Sequence, residues 1–358
     1  MNKLSILRII FSILSLFLIL TLSPFGIKND DYNNKDLYRA VVLETLESDS
    51  TDTQKIKVLV EEGKFNGKEF NINNTLMLSD NLLTLKKNDK IVLLINEYED
   101  GSLDITTYQY VREKKILHLV LFFILLVLIV GGFKGVHAVL SVAFTIAVIS
   151  ILLIPRLIRG DNPITVTIIC SLIIAFFSLI IQQGFSKKTF SSLIGTLGGV
   201  SIAGIVTLIM SKSLQVSINS EDAIGLMQVT QGYNFNFQAL LFSSIVIGAL
   251  GANIDMSMSI ATAMNELKES TPSISRNDLI RAGMNIGRDV IGTMSNTLVL
   301  AYVGSALVSL MIFVGYNVNL SYIINLEDIS MEILRSLAGS IGIILCVPLT
   351  VFARAFMD

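Results

Sequence analysis

Long apolar runs separated by short polar segments make up most of the chain. A helix that crosses a bilayer needs about 20 consecutive, mostly apolar residues, and eight stretches meet this requirement. They lie at roughly 5–25, 116–132, 135–154, 163–182, 190–211, 238–263, 290–315 and 333–353. Seven of the eight follow residue 115, so the pattern predicts a seven-span helical membrane domain over residues 116–358.

The first apolar run is typical of a segment that directs a chain into the membrane. Lys3 and Arg8 lie before or within it, and no small-x-small cleavage site stands near its end. We therefore predict a retained N-terminal signal-anchor span over residues 1–28, in preference to a signal peptide that is removed.

Residues 29–115 show a different pattern, in which polar and β-favouring residues alternate between turn signals. Five segments fit short strands: LYRAVVLETLE, QKIKVLVEEG, KEFNINNTL, DKIVLLINEYEDG and LDITTYQYVRE. Five strands predict a small barrel of the OB or SH3-like kind. The expected fold class is mainly α, a polytopic helical membrane bundle with a small extracytoplasmic β-barrel-like domain inserted after the first span.

Lys and Arg residues in the short loops predict the orientation, because they are enriched on the cytoplasmic side. With the N-terminus in the cytoplasm, the inner side collects Lys3, Arg8, Lys134, Lys187, Lys188, Lys268, Arg276, Arg281, Arg288 and Arg354. The outer short loops hold Arg156, Arg159 and Lys212. We expect both termini in the cytoplasm and residues 29–115 outside the cell membrane. Arg156 and Arg159 oppose the rule, and a re-entrant third run would invert everything after it.

The composition agrees with a bilayer as the main partner. Of 358 residues, 52% are hydrophobic and 16% charged, and the mean hydropathy is +0.67, which is too apolar for soluble cores of this length. The net charge of −2 and the scattered basic residues argue against a nucleic-acid partner. No glycine-rich loop followed by Lys and Ser or Thr indicates a nucleotide site.

The residue types that bind metals are sparse. Cys170 and Cys346 lie in apolar runs, where thiols usually pack as small hydrophobic groups. His118 and His137 lie in different spans, near opposite faces of the predicted topology. We expect neither a metal site nor a cofactor.

The segment GALGANIDMSMSIATAMNELKES, residues 248–270, places polar side chains in an otherwise apolar helix. One face holds Asp255, Ser259, Thr262 and Glu266 at spacings of i, i+4, i+7 and i+11, with Asn253 on a neighbouring row. An ionised carboxylate near the bilayer centre costs about 2.5–3.5 kcal/mol, so it normally faces protein or water. This pattern predicts a proton or cation site; the alternative is a structural hydrogen bond between helices.

The next span continues the polar pattern. Residues 275–286 fit an amphipathic helix, after which Arg288 and Asp289 stand side by side and Asp289 is followed at helical spacing by Thr293 and Asn296. Two neighbouring helices that each carry an acid and a ladder of hydroxyl and amide groups would line a hydrophilic path. Arg288 considered alone fits an interfacial anchor better.

Small residues at four-residue spacing predict close helix contacts. Ser191, Gly195 and Gly199 form one such row, and the last span carries Ser336, Gly339 and Gly342. Rows of this kind let another helix approach the backbone. We therefore expect a compact bundle.

The segment 248–270 together with LIRAGMNIGRDVIGTMSNTLVLAYVGSAL resembles the YibE/F family of bacterial multi-pass membrane proteins. The similarity is carried by Gly251 with Asp255, by the run 264–267 and by the run 287–289. The family implies a location in the membrane and no particular chemistry. The layout also resembles, more faintly, that of RND-type permeases, which implies proton coupling through intramembrane acids. The chain has half the usual length of those proteins, and a homodimer could supply the second half.

Two functions follow from these patterns. The first is a transporter or permease-like bundle in which Asp255, with Asp289, binds a proton or cation while the outer domain contacts a substrate or partner. The second is a non-transporting assembly or regulatory protein that acts through its extracytoplasmic domain, alone or with a related membrane subunit. An enzyme is not expected, because the Gly-x-Gly-Asp, His-Glu-x-x-His and Gly-x-Ser-x-Gly signatures of intramembrane hydrolases are missing.

Overall fold

The structure is a computed structural model that describes residues 36–46, 53–75, 84–99, 101–218, 220–230 and 236–357. The signal-anchor prediction for residues 1–28 lies outside these ranges. The described chain falls into two compact units, one ending at Leu126 and the other beginning at Val127.

The first unit is an antiparallel sheet of five strands, as the alternating pattern predicts. The strands are β1 Leu37–Leu46, β2 Thr53–Val60, β3 Glu69–Thr75, β4 Lys90–Glu97 and β5 Leu103–Tyr110. Their order in the sheet is β3-β2-β1-β4-β5. Inward-facing residues alternate along each strand, as in β1, where Tyr38, Ala40 and Val42 are buried.

The sheet curls without closing, which refines the expected barrel to a half-barrel. No hydrogen-bonded ladder joins the edge strands β3 and β5 among the described residues. Instead a side-chain bond links them, because Thr107 Oγ1 donates to Asn74 Oδ1 at 2.5 Å.

The second unit is helical, and only the start of its first helix belongs to the sheet unit. The helices are α1 Glu113–Ala147, α2 Ile154–Ile158, α3 Pro163–Gln183, α4 Lys187–Leu214, α5 Ser220–Thr230, α6 Phe237–Ser270, α7 Arg276–Ser305, α8 Leu307–Gly315, α9 Leu320–Asn325 and α10 Glu327–Phe356. A π-helical segment, Val148–Leu153, joins α1 to α2.

Five helical runs in the described part of the chain are long and apolar enough to cross a membrane, or six if α7 and α8, bent by 58°, form one span. The count of seven after residue 115 stays a prediction, because one of these helical runs contains two predicted spans. The predicted runs 116–132 and 135–154 fall on one helical stretch, Glu113–Ile158. Two helices meet in that stretch at a kink at Gly132, whose φ of 53° is left-handed. A Cβ at Gly135 would meet the carbonyl oxygen of Val127, although an unbroken helix would separate these positions by about 12 Å.

The predicted amphipathic segment 275–286 is helical but is not a separate element. It forms the first turns of α7, which begins at Arg276 after Ser275 caps it by accepting from Asp278 N at 3.2 Å. Leu279 is buried, and Ile280 and Met284 pack against the same apolar cluster, as the pattern predicts.

The expected close helix contacts are confirmed between α4 and α10. A Cβ at Gly199 would lie 2.7 Å from Gly342 O, and a Cβ at Gly195 would meet the side chain of Thr350. A Cβ at Gly339 would likewise lie 2.6 Å from the side chain of Leu298 in α7. The small residues therefore set the spacing of α4, α7 and α10.

Candidate functional site

The helix α6 carries most of the predicted site residues and packs on α3, α4, α7 and α10. It begins at Phe237, where the side chain of Asn236 accepts a hydrogen bond from Ala239 N at 3.1 Å. Its buried side includes Asn253, Met256, Ser257 and Ile260. Some polar side chains of the segment 248–270 therefore point into the bundle, and the others lie on its surface.

A buried cluster of neutral polar groups joins α4, α6 and α10. Thr196 Oγ1 and Ser257 Oγ lie 2.7 Å apart, and Ser192 Oγ donates to Ser257 O at 3.2 Å. Asn253 O accepts from Thr196 Oγ1 at 3.4 Å and from Cys346 Sγ at 3.6 Å. These bonds hold three helices together, and none of the groups in the cluster is ionised.

Asn253 lies inside this cluster and not beside Asp255. Its side-chain nitrogen donates to Ala249 O at 2.9 Å, and its buried Oδ1 has no hydrogen-bond partner in the described part of the chain. A Cβ at Gly199 would meet that Oδ1. Two residues along a helix differ by about 200° in direction, so the burial of Asn253 turns Asp255 outward.

The outer side of α6 is a stripe of small and polar residues. Ser244, Gly248, Gly251, Asp255 and Ser259 are all exposed, at spacings of four, three, four and four. Along Phe237–Ser270, all of which the structure describes, no large hydrophobic side chain is exposed. The carboxylate of Asp255 makes no hydrogen bond or ion pair with a described residue.

The helix α7 presents a similar surface. Asp289, Thr293, Asn296 and Thr297 are exposed, together with Gly292. Towards the end of the helix the first large hydrophobic side chain to be exposed is Leu300.

The two helices are antiparallel neighbours. A Cβ at Gly283 would lie 2.6 Å from Met264 Sδ near one end, and a Cβ at Gly248 would lie 2.6 Å from the Tyr302 hydroxyl near the other. We call ten of the exposed residues of these two helices the polar face. It comprises Ser244, Gly248, Gly251, Asp255, Ser259, Asp289, Gly292, Thr293, Asn296 and Thr297.

Other helices of the bundle have apolar outer surfaces. Their exposed side chains include Ile168, Ile169 and Leu172 on α3, Ile194, Ile205 and Ile209 on α4, and Leu337, Ile341 and Phe352 on α10. Surfaces of this composition suit lipid chains, whereas a carboxylate and a row of hydroxyl and amide groups do not. The polar face therefore differs in kind from its surroundings.

The remaining predicted residues are spread along both helices. Thr262 is partly buried and accepts a hydrogen bond from Gln183 Nε2 of α3 at 3.4 Å. Glu266 is exposed. Arg288 is exposed and donates to Asn285 Oδ1 at 3.2 Å. Asp255 and Asp289 are both exposed, and no hydrogen bond or ion pair joins them in the described part of the chain.

Sequence reasoning missed two polar features of the core. The first is the Thr196–Ser257 contact, for which the only signal was a row of Ser, Thr and Gly residues in the run 191–204. The second is Arg354, which was expected to be a cytoplasmic loop charge. It is buried in α10 and donates to Asn265 Oδ1 at 3.0 Å.

Metal-binding groups do not converge within the described ranges, where no cluster of three or more His, Cys, Asp or Glu side chains could hold an ion. His137 is buried and its Nδ1 lies 2.7 Å from Phe133 O. Cys170 and Cys346 are both buried with free thiols.

Comparisons with known proteins bear on the helical unit. A family model described as YibE/F-like protein matches residues 119–357. This range contains α3 to α10 and hence the whole polar face. No curated protein and no solved structure matches the chain.

Proposed function

Since the chain belongs to the YibE/F-like family, we propose that it is a multi-pass, permease-like membrane protein that moves a proton or cation along its polar face. The resemblance carried by residues 248–306 is confirmed by the family match. The family and the apolar helices agree with a membrane protein, and the proposal adds transport and the role of individual residues.

One observation carries the proposal, namely that the exposed residues of α6 are small or polar where other helices expose Ile, Leu and Phe. A helix in contact with lipid would expose apolar side chains instead. Water or another protein chain must therefore cover the polar face. A water-lined path with a carboxylate on its wall has the chemistry that proton and cation transport needs.

Asp255 is the residue we assign to ion binding. It is the acid of the α6 stripe, and Ser259 follows it by one turn with a hydroxyl that can share a bound ion. Its carboxylate makes no bond to a described residue, so it is available to a proton or a cation. Asp289 and Asn296 of α7 extend the same path, with Thr262 and Glu266 towards the end of α6.

A second copy of the chain, or a related membrane subunit, would cover the outer side of the path. We further propose that the protein lies in the cell membrane with both termini in the cytoplasm and residues 29–115 outside. This orientation rests on the distribution of Lys and Arg between the loops. The proposed function contains no enzymatic step.

Transport is tested with the full chain in liposomes that contain a pH-sensitive dye or a cation indicator. Asp255→Asn keeps the shape of the side chain but removes its charge and titration, and we expect it to reduce ion flux to the level of protein-free liposomes. Asp161→Asn, the same change at an exposed loop position, is the matched control and should retain flux. Normal flux in Asp255→Asn would refute the proposal.

The alternative function, assembly or regulation of a partner, is favoured by the same unpartnered carboxylate. Such a group could bind a donor on another subunit and lock two chains together without carrying ions. In that case Asp255→Asn should still insert into the membrane but should dissociate from its partner, and flux should be missing in the wild type as well. Deletion of residues 29–113 should then abolish partner capture while the helical unit remains inserted.

A further inference from the structure

The sheet unit contains a cleft with an excess of positive charge. We propose that this cleft binds an anionic phosphate group, supplied by a lipid headgroup or by a free phosphate compound. Its volume is about 980 Å³, and its cationic lining residues are Arg39, Lys86, Lys90, Arg112, Lys114 and Lys115. All of them belong to one compact unit, which extends through the first turns of α1 to Leu126.

Ion pairs within the cleft neutralise two of these six cations. Lys90 Nζ contacts both carboxylate oxygens of Glu61, at 3.0 and 2.9 Å. Arg39 donates to Glu113 Oε2 at 3.0 Å. These pairs join β1, β4 and the start of α1 and fix the walls of the cleft.

The other four cations remain available to a ligand. Among the described residues, no carboxylate forms an ion pair with Lys86, Arg112, Lys114 or Lys115. The third acid of the lining, Asp89, accepts a hydrogen bond from the backbone nitrogen of Lys86 at 2.8 Å. The cleft therefore keeps an excess of positive charge after its internal pairs are formed.

Arg112 is held in place by an aromatic side chain. Its guanidinium lies 5.6 Å from the centre of the Tyr110 ring, and the Tyr110 hydroxyl donates to Thr84 O at 2.7 Å. A stacked guanidinium keeps its planar set of N–H donors free for an anion. Arg and Lys together bind phosphate through several charge-assisted hydrogen bonds, and the cleft has the size of a small-molecule site.

An apolar edge beside the charged wall favours a lipid as the source of the phosphate. Ile116 and Leu119 line the cleft and are 55% and 67% exposed. They begin the apolar run of α1, so a headgroup in the cleft would have its acyl chains beside an apolar helix. Lys and Arg side chains at the end of an apolar helix lie at the level of the lipid headgroups, where they can bind phosphate. This choice of source rests on the proposed membrane insertion of α1, whereas phosphate binding itself is independent of transport along the polar face.

The test uses the full chain in an uncharged detergent and titration calorimetry with two probes, dihexanoyl phosphatidylglycerol and inorganic phosphate. The cleft variant is Lys86→Gln/Arg112→Gln, and the matched control is Lys68→Gln/Lys87→Gln, which removes the same charge at positions outside the lining. We expect the cleft variant to weaken binding by about tenfold or more, since it loses hydrogen bonds to a charged group. The control should bind like the wild type.

A conservative variant separates loss of binding from loss of folding. Lys86→Arg keeps the charge and leaves the stacked Arg112 in place, so it should retain affinity, and circular dichroism should give the same signal in all variants. Cleft-dependent binding of the lipid alone supports a headgroup as the ligand, and cleft-dependent binding of inorganic phosphate supports a soluble one. If neither probe binds the wild type, or both bind the cleft variant unchanged, the proposal is overturned.

Discussion

The backbones of Gly199 in α4 and Gly342 in α10 meet directly. A Cβ at Gly199 would lie 2.7 Å from the carbonyl oxygen of Gly342, and a Cβ at Gly342 would lie 2.8 Å from the carbonyl oxygen of Gly199. Because neither carbonyl can move without its helix, the crossing requires glycine on both sides.

Replacing Gly199 should therefore destabilise the bundle. Gly199→Ala would force a methyl group against Gly342 O and against Asn253 Oδ1. We expect it to lower the free energy of unfolding by about 1–3 kcal/mol, the usual cost of overpacking. Thermal or denaturant unfolding in detergent measures this change.

Gly304→Ala is the control for this substitution. Gly304 lies in α7, where an added Cβ would meet no atom of the described chain within 4 Å. Alanine there should be neutral or slightly stabilising, because it has the higher helix propensity. An equal loss of unfolding free energy in Gly199→Ala and Gly304→Ala would contradict the close contact between α4 and α10.

The contact between Thr196 and Ser257 should make the effects of mutating these two residues on stability non-additive. The two hydroxyls lie 2.7 Å apart in the buried cluster, and interhelical hydrogen bonds of this kind contribute about 0.6 kcal/mol on average and about 1.7 kcal/mol at most. A double-mutant cycle with Thr196→Val and Ser257→Ala should return a coupling in that range. Thr196→Val combined with Ser244→Ala, at an exposed position of α6, should be additive to within about 0.5 kcal/mol.

Apolar length and strand alternation were enough to predict most of the fold. The five strands were predicted because inward residues such as Ala40 and Val42 alternate with outward ones. Hydropathy alone does not show where a helical run bends, so the apolar runs 116–132 and 135–154 do not predict how the chain passes from one to the other. Gly132 bends one helical run, and a break near Ala306 separates α7 from α8.

The candidate site was harder to predict, because helical spacing groups residues on a face without saying which face is buried. Asn253 and Asp255 are both polar, and their spacing leaves open which of them enters the core. Gly199 in α4 has no side chain, and the amide of Asn253 occupies the space where a Cβ of residue 199 would lie. For this reason Asn253, and not Asp255, enters the core. Gly199 and Asn253 are 54 positions apart and lie in different helices. The hydropathy pattern of a single helix therefore cannot predict this contact.

The titration of Tyr110 should respond to its neighbours in a defined direction. Burial raises the pKa of Tyr110, the charge of Asp89 raises it further and the charge of Arg112 lowers it. Asp89→Asn should therefore move this phenol to lower pH, and Arg112→Gln should move it to higher pH. Ultraviolet absorbance of tyrosinate measures both shifts, and Tyr110→Phe identifies the component that belongs to this residue. Shifts of the same sign in both variants would contradict the assignment.

The same raised pKa makes the folded chain less stable in strong alkali. A folded-state pKa above the unfolded value of about 10 means that the folded chain keeps its proton longer as pH rises. The stabilisation is complete below the unfolded pKa and is lost as pH rises through the folded one. Tyr110→Phe should therefore flatten the decline of stability above about pH 10, as measured by unfolding at a series of pH values.

Cysteine labelling distinguishes a wet polar face from one that is buried against lipid. Ser259 on α6 and Leu337 on α10 are both exposed, and each lies roughly three turns from an end of its helix. If water lines the polar face, Ser259→Cys should react with a membrane-impermeant maleimide in intact membranes. Leu337→Cys should stay unlabelled, because a thiol among acyl chains neither ionises nor meets the reagent.

The native thiols supply the background for this experiment. Cys170 and Cys346 are buried and free, so the wild-type chain should not be labelled before it is unfolded. Labelling of Ser259→Cys that disappears on addition of a second, tagged copy of the chain would identify that copy as the cover of the polar face. Equal labelling at Ser259 and Leu337 would remove the distinction between the two surfaces, and with it the physical basis for an ion path along α6.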